Sequence, residues 1–338
     1  VIGYPPVGGP PTATVVVCAY TEKRWDDIVA AVTSVAAQDV RPIETMVVVD
    51  HNEALLHRAY HTFGPRGVRV LRNQGAQGLS GARNTAVAMA RGEVIVFLDD
   101  DATARPGWLR ALLAPYADPN VIAVGGVAHP RWPDGRPVTL PGYAPTDRNA
   151  TGELDWVVGC TYTGQPTERA EVRNLMGCNM SFRAEVFKRV GGFAEDIGRI
   201  GKNPLGCEET ELCIRARQAY ARDGRPIRIV FEPRAEVDHR VSDDRVEWRY
   251  LRRRSWAEGL SKAAVSKLVG SDDALSTERG YVANVLPKAV VRELRRGKLS
   301  SAAAVMVCLS WTSAGYLRGK LPGATSNVRL PAAGRDGA

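Results

Sequence analysis

Short apolar runs alternate along the first hundred residues with stretches of helical period. Residues 14–18, 44–49, 68–71 and 94–98 are rich in β-branched side chains, have strand length and are continuous enough for burial on both faces. Between the first two runs, residues 25–38 repeat Ile28, Val32, Val35 and Ala36 at helical spacing, and residues 52–60 carry a second helical pattern. A glycine-rich stretch, residues 75–81, then leads into a third helix, with Ser80 as its expected N-cap and Gly92 as its stop. Strand and helix in this alternation predict an α/β fold with a mainly parallel sheet and helices on both faces.

Beyond residue 104 the pattern continues more loosely. Residues 106–116 read as a helix and 121–127 as a strand. Residues 129–164 are irregular and hold Trp132 and Trp156, which suit either a sugar site or the edge of a core. A helix starts near Arg183 and stops at Gly191-Gly192, and residues 227–231 form a further strand. Residues 196–207, with three glycines and one proline, read as a mobile loop. Residues 246–268 are a helix rich in Arg and Trp. Residues 299–317 carry no charge but are diluted by Ser, Thr, Ala and Gly, so a helix lying on the protein or at a membrane surface is preferred over a membrane span.

Composition narrows this picture. A chain of 338 residues that is 44% hydrophobic can bury a full core. Its formal charge of +8 is concentrated between residues 245 and 298, where thirteen Lys and Arg face six Asp and Glu. That segment is a footprint for an anionic surface or ligand. No nucleic-acid module accompanies it. The six cysteines include no C-x-x-C pair and read as reduced thiols in a cytosolic protein. Residues 1–11 have neither a basic n-region nor an apolar h-region and read as a tail rather than a signal peptide; the chain begins at Val1, which leaves room for an upstream segment.

The chemistry gathers at strand ends. In open α/β sheets ligands bind outside the carboxyl ends of the strands. Those ends carry Tyr20 and Glu22, then Asp50, then Asn73, then Asp99, Asp100 and Asp101. Successive residues of an extended chain alternate sides, so Asp99 and Asp101 point together and offer oxygen ligands for a hard divalent ion; a solvated acidic turn is the alternative. The glycines before Arg83 let backbone approach a ligand, and a helix N-terminus there favours an anion. Neither G-x-G-x-x-G nor a P-loop is present. A nucleotide diphosphate with a divalent ion fits these features together.

The ordered set Val15-Val-Val-Cys-Ala-Tyr20, the strand ending at Asp50, Gly78-Leu-Ser-Gly-Ala-Arg-Asn84 and Phe97-Leu-Asp-Asp-Asp101 resembles the successive motifs of family 2 glycosyltransferases, over about residues 14–259. The resemblance implies the GT-A fold, extended here by a basic helical C-terminal segment, and an inverting, metal-dependent transfer from a nucleotide-diphosphate sugar, most simply a UDP-sugar. It assigns nucleotide-sugar contacts to Ala19, Tyr20, Glu22, Asp50, Gly78, Arg83, Asp99, Asp100, Gly177, Asn179 and Glu208. Asp101 and Asp99, with His239 completing the set, would hold Mn²⁺ or Mg²⁺. The stretch Gly206-Cys-Glu-Glu-Thr-Glu-Leu-Cys-Ile-Arg215 resembles the family's Glu-Asp-x-Asp motif and places Glu209 as catalytic base; by residue type alone it is a helix start with a Glu211–Arg215 pair. His51 departs from the family, which often has a second acid there. Arg252 and Ser255 stand where processive members carry Gln and Arg before the Trp, which implies transfer of one sugar.

The expected organisation is a tail (1–12), a nucleotide-sugar-binding part (13–128), an acceptor and catalytic part (129–245), a basic helical extension (246–320) and a disordered tail (321–338). The expected partners are the donor, a hydroxyl acceptor (glycolipid, glycan or small molecule) and an anionic membrane surface, at the inner face of the cell membrane. A nucleotidyltransferase and a non-catalytic adaptor are the alternatives.

Overall fold

The computed structural model describes residues 10–142, 151–199 and 205–322. The tail expected at 321–338 therefore lies outside them from residue 323 onward, as do residues 1–9 and residues 200–204 of the expected mobile loop. Four strands pair in parallel in the order β3 (Arg69–Arg72), β2 (Glu44–Val49), β1 (Ala13–Ala19) and β4 (Val94–Asp99). Helices α1 (Trp25–Ala36), α2 (Glu53–Phe63) and α3 (Leu79–Met89) make the crossovers. Alternate strand residues feed two separate cores. Val15, Val17, Val47, Val49, Val96 and Leu98 pack with α1 and α2, whereas Val16, Met46, Val48, Ile95 and Phe97 pack with α3. The apolar runs are continuous because both faces are covered.

The rest of the sheet is mixed. After a short β5 (Ala102–Ala104), α4 (Trp108–Leu113) leads to β6 (Val121–Arg131), then β7 (Ala170–Glu171), β8 (Asn179–Arg183) and β9 (Arg228–Arg240). β8 runs antiparallel between β4 and β6, and β9 lies parallel to β6. The far half of β9 is long enough to pair with β5 as well, setting His239 opposite Ala102. α5 (Ala184–Val190) and α6 (Glu208–Arg222) cover the α3 face.

The C-terminal extension is helical: α7 (Trp248–Val269), α8 (Ser271–Ala274), α9 (Ser276–Gly280), a π-helical turn (Tyr281–Val285), α10 (Leu286–Arg295) and α11 (Leu299–Lys320). α11 runs alongside α7 in the same direction, with backbones touching. A Cβ on Gly259 would lie 2.1 Å from the Thr312 carbonyl, and one on Gly315 would lie 2.3 Å from that of Trp256. The uncharged stretch thus rests on the protein, and among the described residues no helix is long and apolar enough to cross a membrane.

Two local expectations need correction. The N-cap of α3 is Gly78, in a conformation (φ 132°) that a side chain would strain, while Ser80 lies inside the helix and donates to the Ile197 carbonyl. The helix also ends before Gly92, at Met89, and Gly92 instead admits the backbone of β1, where a Cβ would sit 2.4 Å from the Thr14 nitrogen.

Candidate active site

Three carboxylates end β4 and diverge. Asp100 turns inward and accepts from Arg24 Nη1 at 2.7 Å; its Oδ2 is buried without a partner. Asp101 lies between an imidazole and two guanidinium groups, with His239 Nε2 at 3.1 Å, Arg24 at 3.2 Å and Arg245 at 3.3 Å. Burial pushes the Asp101 carboxyl up, but His239, Arg245 and Arg24 together hold it well below the usual carboxylate range. Asp99 is part-exposed and lies 3.4 Å from Arg83 Nη2.

The β5–β9 pairing explains how a histidine 138 positions away arrives here, because Arg240 N–H donates to the Asp101 carbonyl (2.8 Å) and fixes the register. One ligand atom from each of Asp99, Asp101 and His239 lies within 4.8 Å of the others. Two carboxylates and an imidazole form a donor set that suits Mn²⁺. The residues fit the metal that the sequence implied. Cys160 Sγ is 3.4 Å from His239 Nδ1 on the far side of the ring.

Arg83 joins the two acidic groups. It is buried, lies against the rings of Phe97 and Phe193, and reaches Glu208 at 2.6 Å, Asp99 at 3.4 Å and the Gly177 carbonyl at 2.9 Å. Glu208 and Glu209 open α6, whose N-cap Cys207 has positive φ (71°), a strained conformation for a residue with a side chain. Arg83 takes Glu208, and Glu209 is left facing the cavity. Burial, then the neighbouring Glu208 charge, pushes its carboxyl up to about 8.

A cavity of about 980 Å³ holds these groups, its wall including Arg83, Asp99, Gly177, Glu208, Glu209 and His239. A smaller cleft of about 80 Å³ beside it is lined by Ala19, Tyr20, Asp50, Asp99 and Asp100. Asp50 accepts from Asn73 (2.7 Å), from His51 Nδ1 (2.9 Å) and from the Gly78 amide (3.0 Å).

Three assigned residues behave differently from expectation. Gly78 lends its amide to Asp50, and Leu79 lends its own to the Arg199 carbonyl, so the first turn of α3 does not hold these donors free for an anion. Asn179 is fully buried with its amide spent: it accepts from the Trp108 indole (2.9 Å) and donates to the carbonyls of Val127 (3.0 Å) and Ala235 (2.8 Å). It ties sheet strands together rather than facing substrate. Glu22 is exposed on a 3-10 turn and lines neither cavity. Arg24, Arg245 and Cys160 went unread because nothing local in their sequence marks them; the fold alone brings them to Asp101 and His239.

The chain matches the family model described as glycosyl transferase family 2 over residues 14–191, more than half its length. It belongs to glycosyltransferase family 2. The transferase is 32% identical over 319 residues to the glucosyl-dolichyl phosphate glucuronosyltransferase of Haloferax volcanii, covering 91% of this chain and 96% of that one. It is 28% identical over 173 residues to the pre-mycofactocin glycosyltransferase of Mycobacterium tuberculosis, covering 51% of this chain and 32% of that one. Among solved structures, the mannosyltransferase PcManGT from Pyrobaculum calidifontis, in complex with GDP-Man and Mn²⁺, superposes with a TM-score of 0.58 at 17% identity, covering 93% of this chain and 89% of that one. GalNAc-T7, with UDP, GalNAc and Mn²⁺, gives 0.51 at 16% identity, covering 82% and 56%. The two structures share the GT-A fold. As a family member the chain is a glycosyltransferase that uses nucleotide-sugar donors in glycoconjugate synthesis, which sets aside the nucleotidyltransferase alternative.

Proposed function

We propose that the enzyme transfers one sugar, with inversion, from a UDP-sugar to an acceptor hydroxyl, assisted by a divalent cation. The observation that carries this reading is the Asp99, Asp101 and His239 donor cluster, of which Asp99 and His239 share one cavity wall with Glu209. The uracil imide N–H would find the Asp50 carboxylate in the cleft, with the Tyr20 ring at its edge. Glu209 takes the proton of the acceptor hydroxyl as that oxygen bonds to the anomeric carbon and the carbon–phosphate oxygen bond breaks on the opposite face. A cation held by Asp99, Asp101 and His239 would stabilise the negative charge left on the departing diphosphate. Arg83, fixed by Glu208, adds a permanent positive charge beside Asp99. The full-length likeness to a transferase whose name includes dolichyl phosphate supports a glycolipid acceptor and a peripheral place at the inner face of a membrane.

Release of nucleotide diphosphate from a panel of nucleotide sugars, with Mn²⁺, Mg²⁺ or EDTA, tests this reading, because transferases slowly use water as a poor acceptor. Release from a UDP-sugar that needs metal and is lost in Asp101→Asn is the expected result. Failure of every UDP-sugar to be hydrolysed or to raise the melting temperature, or indifference to EDTA, would sink it.

A further inference from the structure

The cavity that begins at Glu209 does not end at the catalytic groups. It continues into the C-terminal extension, where its wall changes character to Leu154, Tyr281, Val285, Leu286, Leu309 and Leu317. Ser276, Thr277, Asn284, Thr312, Ser313 and Tyr316 stand among these side chains, but apolar surface is the larger part of the cavity's lining, as in sites that take mostly apolar ligands. A hydrocarbon chain gains roughly 0.8 kcal/mol for each methylene it buries in such a space. Val282 and Leu317 belong to the wall and are also exposed to solvent, at 39% and 67%, so the arm opens to the outside and a chain longer than the cavity can leave it.

Between the catalytic end and the apolar arm stands a compact charge cluster. Glu258 receives Arg254 at 2.7 Å and Lys262 at 3.1 Å; Glu278 receives Lys262 and Arg173, each at 2.6 Å. Three cations face two carboxylates, all five line the cavity, and Arg254 Nε is buried without a hydrogen-bond partner. The cluster adjoins the start of α6, since Cys207 Sγ lies 3.4 Å from Glu258 Oε1. Surplus positive charge, placed between a base and an apolar arm, matches an anionic group with a polar end on one side and a chain on the other.

We infer that the arm enclosed by α7, the π-helical turn, α10 and α11 seats the hydrocarbon chain of the acceptor, and that the acceptor's phosphate lies against Arg254 and its neighbours. The inference rests on the transferase reading above, of which it names the acceptor class: a sugar or alcohol on a long-chain phosphate.

The test is isothermal titration of the full chain with farnesyl phosphate and with dodecyl phosphate, both below their micelle concentrations, and with inorganic phosphate. Saturable 1:1 binding of either chain, at least 100-fold tighter than inorganic phosphate, is expected, and the tighter of the two identifies an isoprenoid or a straight chain. Val285→Trp, which fills the arm, should weaken binding at least tenfold, while Met306→Trp, on an exposed part of α11 outside the cavity, should leave it unchanged. Thr312→Trp serves if melting shows Val285→Trp to be unfolded. Absence of binding by both chains, equal binding of inorganic phosphate, or full affinity in both filled variants would overturn the assignment. Donor hydrolysis by the unaltered protein separates the two failures. Hydrolysis without chain binding removes the arm alone, and chain binding with neither hydrolysis of nor thermal stabilisation by any UDP-sugar removes the UDP-sugar reading while leaving a long-chain phosphate site.

Discussion

Glu208 and Glu209 are adjacent in sequence but differ in what they meet: Arg83 holds the first, and the second faces the cavity. Arg83 pairs with Glu208 at 2.6 Å, while burial, then the neighbouring Glu208, pushes the Glu209 carboxyl up to about 8. A base acts in its ionised form, so kcat/KM should rise with pH through an apparent pKa near 8, and Glu209→Gln should lower kcat by about 10²–10⁴-fold. The same shift has a stability consequence. A carboxyl with a raised folded-state pKa contributes stability below its ordinary value near 4.5, and this is lost as pH climbs through about 8. Glu209→Gln should therefore melt higher than the parent at pH 9, by about 2–4 °C for each ~1 kcal/mol recovered, and a lower melting point there would contradict the assignment. Asn179 gives the reverse profile. Asn179→Ala strands the Trp108 indole and two strand carbonyls, at about 1–3 kcal/mol for each buried group left unpaired. Urea unfolding should show that loss, while the KM for donor in the folded fraction stays within twofold.

At the scale of elements, the contact of α7 with α11 depends on absent side chains. Gly315→Ala would set a methyl 2.3 Å from the Trp256 carbonyl and force the helices apart, at about 1–3 kcal/mol. Gly280→Ala, where a Cβ meets nothing within 4 Å, is the matched control and should be neutral or slightly stabilising. Equal melting points for the two variants would mean that the close approach is not what holds the extension. Period was legible in sequence wherever it was local: β1 to β4 and α1 to α3 lie within a few residues of their expected bounds, because each covers both faces of one sheet. Pairings between distant segments were not legible. Nothing in residues 102–104 announces β9, and nothing in Arg24 or Arg245 announces Asp101, since those contacts exist only once the sheet has curled. The Ser80 cap was misread for a related reason. Asp50, 28 residues earlier, takes the Gly78 amide, so the helix starts two residues sooner than local chemistry suggests.

For the whole molecule, the basic excess of residues 245–298 divides into two populations. Arg245, Arg254, Lys262 and Arg292 are spent on Asp101, Glu258, Glu278, Glu153 and Glu293, so they are internal ties rather than a surface field. The exposed cations are spread over α7 to α11, and one group lies at the turn from α10 into α11, where Leu294, Arg295, Lys298 and Leu299 are exposed and Arg296 stands 3.9 Å from Glu293. Cations interleaved with exposed leucines suit an anionic lipid surface, where each Lys or Arg is worth about 1 kcal/mol near the membrane. Co-sedimentation with vesicles containing phosphatidylserine at 50 mM salt should be strong, should fall on raising salt to 500 mM, and should be absent with neutral phosphatidylcholine. Arg295→Glu with Lys298→Glu should weaken it by about tenfold or more, because two attractions become repulsions. Neither residue touches the catalytic groups, so donor hydrolysis in free solution should be unaffected. Binding that survives the double substitution and high salt would instead place the contact on the apolar exposed residues of α11, Met306, Trp311 and Leu317. It would then be driven by apolar burial rather than charge.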